Sequence, residues 1–153
     1  MKTLTTLILV FITFTVFGQE KQNSTAKNTE TLKKLESFLK NYEKDVLKHN
    51  TEKVLLLMDK EYLSEQHDNN LRGNTKQFLD EFFCGNLTNK EGFVCIKFIN
   101  VTQMERLKII EKENSFIVKY RIVSKQNEIE TEWDVSMQTI EGKIIFGLIG
   151  AVG

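Results

Sequence analysis

The 153-residue sequence predicts an α+β fold, with N-terminal helices packed on a curved antiparallel sheet, and three observations carry that expectation. Between Leu32 and Val46 the apolar residues fall at 32, 35, 38, 39, 42 and 46, the spacing of one helix face. Beyond Gly92 the period drops to two, and Phe116, Val118, Tyr120 and Ile122 alternate with Ile117, Lys119, Arg121 and Val123. When the alternating segments are folded into hairpins, apolar residues also meet apolar ones across every turn.

The first element is a leader, MKTLTTLILVFITFTVFGQE. Lys2 precedes an apolar run from Leu7 to Phe17, broken only by Thr13 and Thr15. A bilayer span needs about 20 apolar residues, so the run is too short to cross one. It reads instead as a secretory signal peptide over residues 1–18, with Val16 and Gly18 at the positions the peptidase inspects and cleavage before Gln19. No cysteine follows the run, which argues against a lipid anchor. Residues 19–30 are polar and unpatterned and read as a flexible leader, leaving 31–153 as one domain. Basic and acidic residues balance at 21 each, and removal of the signal peptide takes only Lys2, for a net charge near −1. Such a surface has no broad positive footprint for nucleic acid or anionic lipid. Only Arg72, Arg106 and Arg121 could supply a bidentate fork for phosphate. Neither a nucleic-acid partner nor membrane association after cleavage is expected. Sequons begin at Asn23, Asn86 and Asn100, and in a chain this rich in Asn and Thr they read as chance.

The helix from Leu32 runs for about 18 residues, and the mixed charge on its polar side fits core packing better than membrane binding. Asn50 is placed to cap a second, shorter helix carrying Val54, Leu55, Leu57 and Met58. Asn74 followed by Gln77 resembles a capping box opening a third, with Phe78, Leu79, Phe82 and Phe83 on its buried side and Gly85 past its end. Residues 61–73, EYLSEQHDNNLRG, fit no period.

The strands come with a register. A loop at 124–127 sets Val123 opposite Glu128, Arg121 opposite Glu130 and Lys119 opposite Glu132, each charge pair worth about 0.2–1 kcal/mol. A turn at Glu141 and Gly142 sets Met137 opposite Phe146, Val135 opposite Leu148 and Trp133 opposite Gly150. A turn at Glu113 and Asn114 sets Ile109 opposite Val118 and Leu107 opposite Tyr120. Residues Phe93–Val101 read as a further strand. IIFGLI, residues 144–149, is apolar on both faces, which predicts a central strand or one covered by a partner.

The two cysteines, Cys84 and Cys95, lie in an exported context and lack metal-ligand spacing. A disulfide is the preferred reading, two buried free thiols the alternative, and no metal site is expected.

The helix from Leu32, the NTKQFLDEFF helix and the closing pair TEWDVSMQTIEGKIIFGLIG together resemble the nuclear-transport-factor-2-like superfamily, with its ketosteroid-isomerase-like and polyketide-cyclase-like members. The likeness covers nearly all of the mature chain and is one of element order, not of a specific motif. It implies a cystatin-like cone with a pocket between helices and sheet, and frequent homodimers through the sheet. It implies no single activity.

Candidate chemistry is sparse. His67 beside Asp68 could act as a general base near neutral pH, although neighbours in sequence do not face each other on a helix and a surface or capping role is the plainer one. His49 reads as a helix-end or solvent-facing histidine. Tyr120, Trp133 and Met137 fall on the apolar parity and line the implied pocket, or are plain core side chains. Asp134 has the opposite parity, so no strand carboxylate faces inward and isomerase-type catalysis is disfavoured. No nucleotide, hydrolase or metalloprotease fingerprint occurs, and no cofactor is expected. The expected function is an exported, non-catalytic module that binds a small apolar ligand in the pocket or a protein partner on the outer sheet; a further possibility is an interaction protein whose final strand completes a dimer interface through Ile145, Ile149 and Ala151. The alternative is a lyase, isomerase or hydrolase using His67, Asp68 and Tyr120 in the same pocket.

Overall fold

A computed structural model describes residues 28–84 and 95–151. The signal peptide, the leader up to residue 27, Gly85, the first two sequons and the start of the segment from Phe93 lie outside the described residues. The described residues divide into two units, one ending at Ser37 and the other beginning at Phe38. Helix α1 covers 28–47, so it begins inside the segment read as leader. In the first unit the described residues 28–37 are helical, and Lys34 pairs with Glu30 one turn back at 2.8 Å.

In the second unit α1 ends in a Schellman turn. The His49 N–H donates to Val46 O and the Asn50 N–H to Asp45 O, both at 2.9 Å, while His49 takes the left-handed φ of 51° that this motif needs. Asn50 then caps α2, Thr51–Leu55, by accepting from the Lys53 N–H, as its position predicted. The unassigned segment resolves into a short helix α3, Lys60–Leu63, capped by Asp59, and a π-helix over Ser64–Asn70. Helix α4, Thr75–Cys84, opens on the Asn74–Gln77 pair: the Gln77 N–H donates to Asn74 Oδ1, and the two side chains also meet. Its Phe78, Leu79, Phe82 and Phe83 are buried. From residue 95 onward the expected strand up to Val101 is instead irregular, followed by a 3₁₀ turn at Phe98–Asn100. The Asp80 carboxylate accepts the Phe98 N–H, tying this turn to α4 rather than to a strand.

Four strands, β1 Gln103–Glu111, β2 Ser115–Val123, β3 Glu128–Ile140 and β4 Lys143–Ala151, make an antiparallel sheet in sequence order. The predicted β2–β3 register is the observed one: Val123 faces Glu128, Arg121 faces Glu130 and Lys119 faces Glu132. Two of the expected pairs are displaced by bulges. Leu107 does not face Tyr120, because the register slips between Arg106 and Lys108 and Arg106 takes that place. Gly150 does not face Trp133, because a slip beside Trp133 puts Ala151 there. Each bulge has a cause in packing. The first puts the Arg106 guanidinium on the inner side, where Nε donates to Glu43 Oε1 at 2.8 Å. The second puts Gly150 at φ 39°, where a Cβ would lie 2.7 Å from the Tyr62 hydroxyl.

β4 is an edge strand and not a central one. Residues 57–59 cover part of its edge: the Leu148 N–H donates to Leu57 O and the Asp59 N–H to Leu148 O, a parallel bridge centred on Met58. Backbone approaches there so closely that a Cβ on Gly147 would lie 2.7 Å from the Asp59 Cα, which only glycine permits.

The core of the second unit gathers Leu39, Tyr42 and Val46 of α1, the α4 phenylalanines, Val118, Tyr120 and Ile122 of β2, Trp133 and Val135 of β3, and Leu148 of β4. Trp133 is its centre, stacked on Phe82 with centroids 5.8 Å apart and met by Phe83, Tyr42 and Tyr120.

Candidate functional site

The inward parity of Tyr120 and Trp133 is as expected, but other aromatic side chains fill the space before them. Both are 0% exposed, and a side chain no water-sized sphere can touch borders no void of that size. Met137, opposite Phe146, is half-buried. The Tyr120 hydroxyl donates to Glu43 Oε1 at 2.9 Å, on the carboxylate that Arg106 also holds. This Glu43–Arg106–Tyr120 cluster escapes sequence reading, since 63 and 77 residues separate Glu43 from its partners. Tyr42 lies against the cluster with its hydroxyl buried and making no hydrogen bond among the described residues. Burial, then the neighbouring Tyr120 and Glu43, raise the Tyr42 pKa well above the usual tyrosine value.

His67 and Asp68 do pair, contrary to what adjacency suggests. Within the π-helix, His67 Nδ1 lies 2.7 Å from Asp68 Oδ1, and Nε2 lies 3.0 Å from Thr75 Oγ1 at the start of α4. A carboxylate only accepts, so in the neutral ring Nδ1 carries the proton and the Thr75 hydroxyl donates to Nε2. The order acid, base, hydroxyl is that of a nucleophile-activating relay. Thr75 has no sequence signal, being eight residues from His67 and in no motif. Tyr120 takes no part in this group: its hydroxyl belongs to Glu43, and its ring meets Tyr42 and Trp133.

His49 does not point to solvent. Its Nε2 lies 2.9 Å from Val101 O and its ring stands edge-on to Phe98. It lines a cleft of about 510 Å³ with the 3₁₀ turn and the β2–β3 loop. A second cleft of about 330 Å³ runs along α4 from Asn74 to Cys84, with Cys95 and Lys97 on its other side. Tyr120, Trp133 and Met137 line neither. Cys84 and Cys95 form the expected disulfide, with Cα atoms 5.2 Å apart, and Cys95 borders both clefts.

The opposite face of the sheet has a regular pattern. β2 directs Lys119 and Arg121 outward, and adjoining β3 directs Glu128, Glu130 and Glu132 outward. Lys119 pairs with Glu130 at 3.1 Å, and Arg121 with Glu105 and Glu128 at the same distance. The next row across the sheet is Ile110, Ile117, Asp134 and Ile149. These isoleucines are half-buried, and Asp134 Oδ1 is covered without a hydrogen bond among the described residues.

Among the described residues no cluster of His, Cys, Asp and Glu could hold a metal ion, and no helix is long and apolar enough to cross a membrane. No family model, curated protein or solved structure matches the chain.

Proposed function

We propose that the chain is an exported, non-catalytic interaction module that works as a pair, two copies meeting through the outer faces of their sheets. Export is supported by the leader sequence and by the Cys84–Cys95 disulfide. The pairing rests on one observation: a basic column on β2 lies beside an acidic column on β3, with isoleucines in the adjoining row. A two-fold axis along the β2–β3 seam sets Lys119 over Glu132 of the other copy, Arg121 over Glu130 and Ile110 over Ile149. That is the self-complementarity an isologous interface requires. Asp134 then faces Ile117, one row from the second copy's Lys119. Light scattering on the purified protein tests the reading. A salt-sensitive dimer is expected, weakened at least tenfold by Glu132→Lys and restored by adding Lys119→Glu. A monomer at every concentration, or a dimer indifferent to both changes, refutes it.

A second reading, a hydrolase, is favoured by the Asp68–His67–Thr75 relay alone. It expects an acetyl group on Thr75 after treatment with p-nitrophenyl acetate, lost in His67→Gln. An unmodified Thr75 removes it.

A further inference from the structure

We infer that the cleft beside His49 is a binding site for a carboxylate-bearing saccharide. The cleft lies between the end of α1, the Phe98–Asn100 turn and the β2–β3 loop, and shares no residue with the outer-face rows invoked for pairing. Its volume of about 510 Å³ falls within the range of small-molecule sites, roughly 300–1,000 Å³.

The loop wall is fixed in place before any ligand arrives. Ser124 Oγ accepts the Asn127 N–H at 3.0 Å and the Gln126 N–H at 3.4 Å, and donates to Asn127 O at 3.2 Å. Thr102 Oγ1 donates to Val123 O at 3.0 Å, pinning the start of β1 to the same loop. These hydroxyls are therefore spent on the scaffold. The side-chain amides of Asn100, Gln126 and Asn127 are not: each lines the cleft and makes no hydrogen bond among the described residues. A primary amide offers a donor and an acceptor side by side, which matches two neighbouring hydroxyls of a sugar ring. Ile99, 60% exposed beside the buried Ile96, supplies an apolar surface for the C–H face of such a ring.

Charge selects among saccharides. Among the described residues, Lys125 and His49 are the titratable side chains lining the cleft, and no carboxylate lines it, although the chain has as many acids as bases. Lys125 has no ion pair among the described residues, so its ammonium is available to an incoming carboxylate. His49 adds a directional group. The Val101 carbonyl can only accept, so Nε2–H is the donor, and the neutral ring keeps its lone pair on Nδ1 for a sugar hydroxyl. A neutral sugar would satisfy the amides and leave the lysine unused.

The test is an NMR titration of the isotopically labelled protein with a glucuronate-ended disaccharide and, separately, with its neutral glucose-ended counterpart. Shifts are expected at the Asn100 and Asn127 side-chain amides, with binding at least fivefold tighter for the acidic sugar. Lys125→Ala should erase that preference, and Asn127→Ala should weaken both sugars. Both changes lie at exposed or half-exposed loop positions, so an unchanged spectrum elsewhere verifies the fold. No shifts at either amide, equal binding of the two sugars, or an acid preference that survives Lys125→Ala overturns the proposal.

Discussion

Replacing Asp59 by alanine removes four hydrogen bonds from one side chain that sequence reading passed over. Oδ1 caps α3 by accepting the Glu61 and Tyr62 N–H groups at 3.0 and 3.2 Å. Oδ2 accepts from Ser136 Oγ at 2.8 Å and from Gln138 Nε2 at 3.1 Å. An N-cap deleted to alanine costs about 1 kcal/mol. Bonds to a charged acceptor contribute about 1.5–3 kcal/mol each, but here most of that is recovered elsewhere. Ser136 Oγ also reaches Gly147 O at 3.2 Å, and Gln138 is exposed enough to turn to water. The expected total is about 2–3 kcal/mol, the first term from the cap and the rest from the sheet contacts. Asn in its place keeps one carbonyl oxygen for the cap and turns an amide toward Ser136, so Asp59→Asn should lose only about 1 kcal/mol. Urea denaturation gives both numbers, and amide exchange at Leu148 and Asp59 should accelerate in the alanine variant, because the cap holds residues 57–59 against β4. A loss below about 0.5 kcal/mol for Asp59→Ala, with exchange at Leu148 unchanged, would refute the reasoning.

Further predictions concern the interior and the disulfide. Tyr42→Phe removes a buried hydroxyl that makes no hydrogen bond and should stabilise the protein by about 1 kcal/mol at neutral pH, read by urea midpoint. Burial keeps the Tyr42 proton on in the folded state while the unfolded chain releases it above 10.0, so the wild type loses stability as pH rises past that value and the advantage of Tyr42→Phe grows. Alkaline destabilisation should therefore be smaller in Tyr42→Phe, though not abolished, because burial and then Glu81 raise the Tyr62 pKa as well. Gly147→Ala should destabilise by roughly 2 kcal/mol or more by pushing Asp59 off β4, and circular-dichroism melts would register it. Reducing the disulfide should lower stability by about 3 kcal/mol; mass spectrometry after alkylation without reductant should find no free thiol.

The sheet was legible because two independent signals, alternating burial and opposite charges across β2 and β3, both selected one register. The turn at Glu141 and Gly142 was legible for the same reason, and both residues take positive φ there, 50° and 74°. The bulges were not legible. An extra residue such as Leu107 or Gly150 leaves the local alternation nearly unchanged, and only the distant partners, Glu43 and Tyr62, explain it. The candidate sites divide in the same way. His67 and Asp68 stand out by residue type, but their segment fits no period that would align the side chains, and Thr75 is found only through space. The aromatic face was read with the correct parity, yet nothing local reveals that α1 and α4 supply enough rings to fill the space before it. Asp59 is the extreme case, since its sheet partners lie 77 and 79 residues further along the chain.

The contact of residues 57–59 with β4 has a consequence for keeping the protein in solution. Residues 144–149 form a six-residue window of high strand propensity with no charge or proline, the composition from which stacked intermolecular sheets grow. A single bridge at Leu148 interrupts that edge and denies it to the same strand of another molecule. Loosening it should therefore cost solubility before it costs the fold, with filaments or precipitate forming while the remaining strands are still paired.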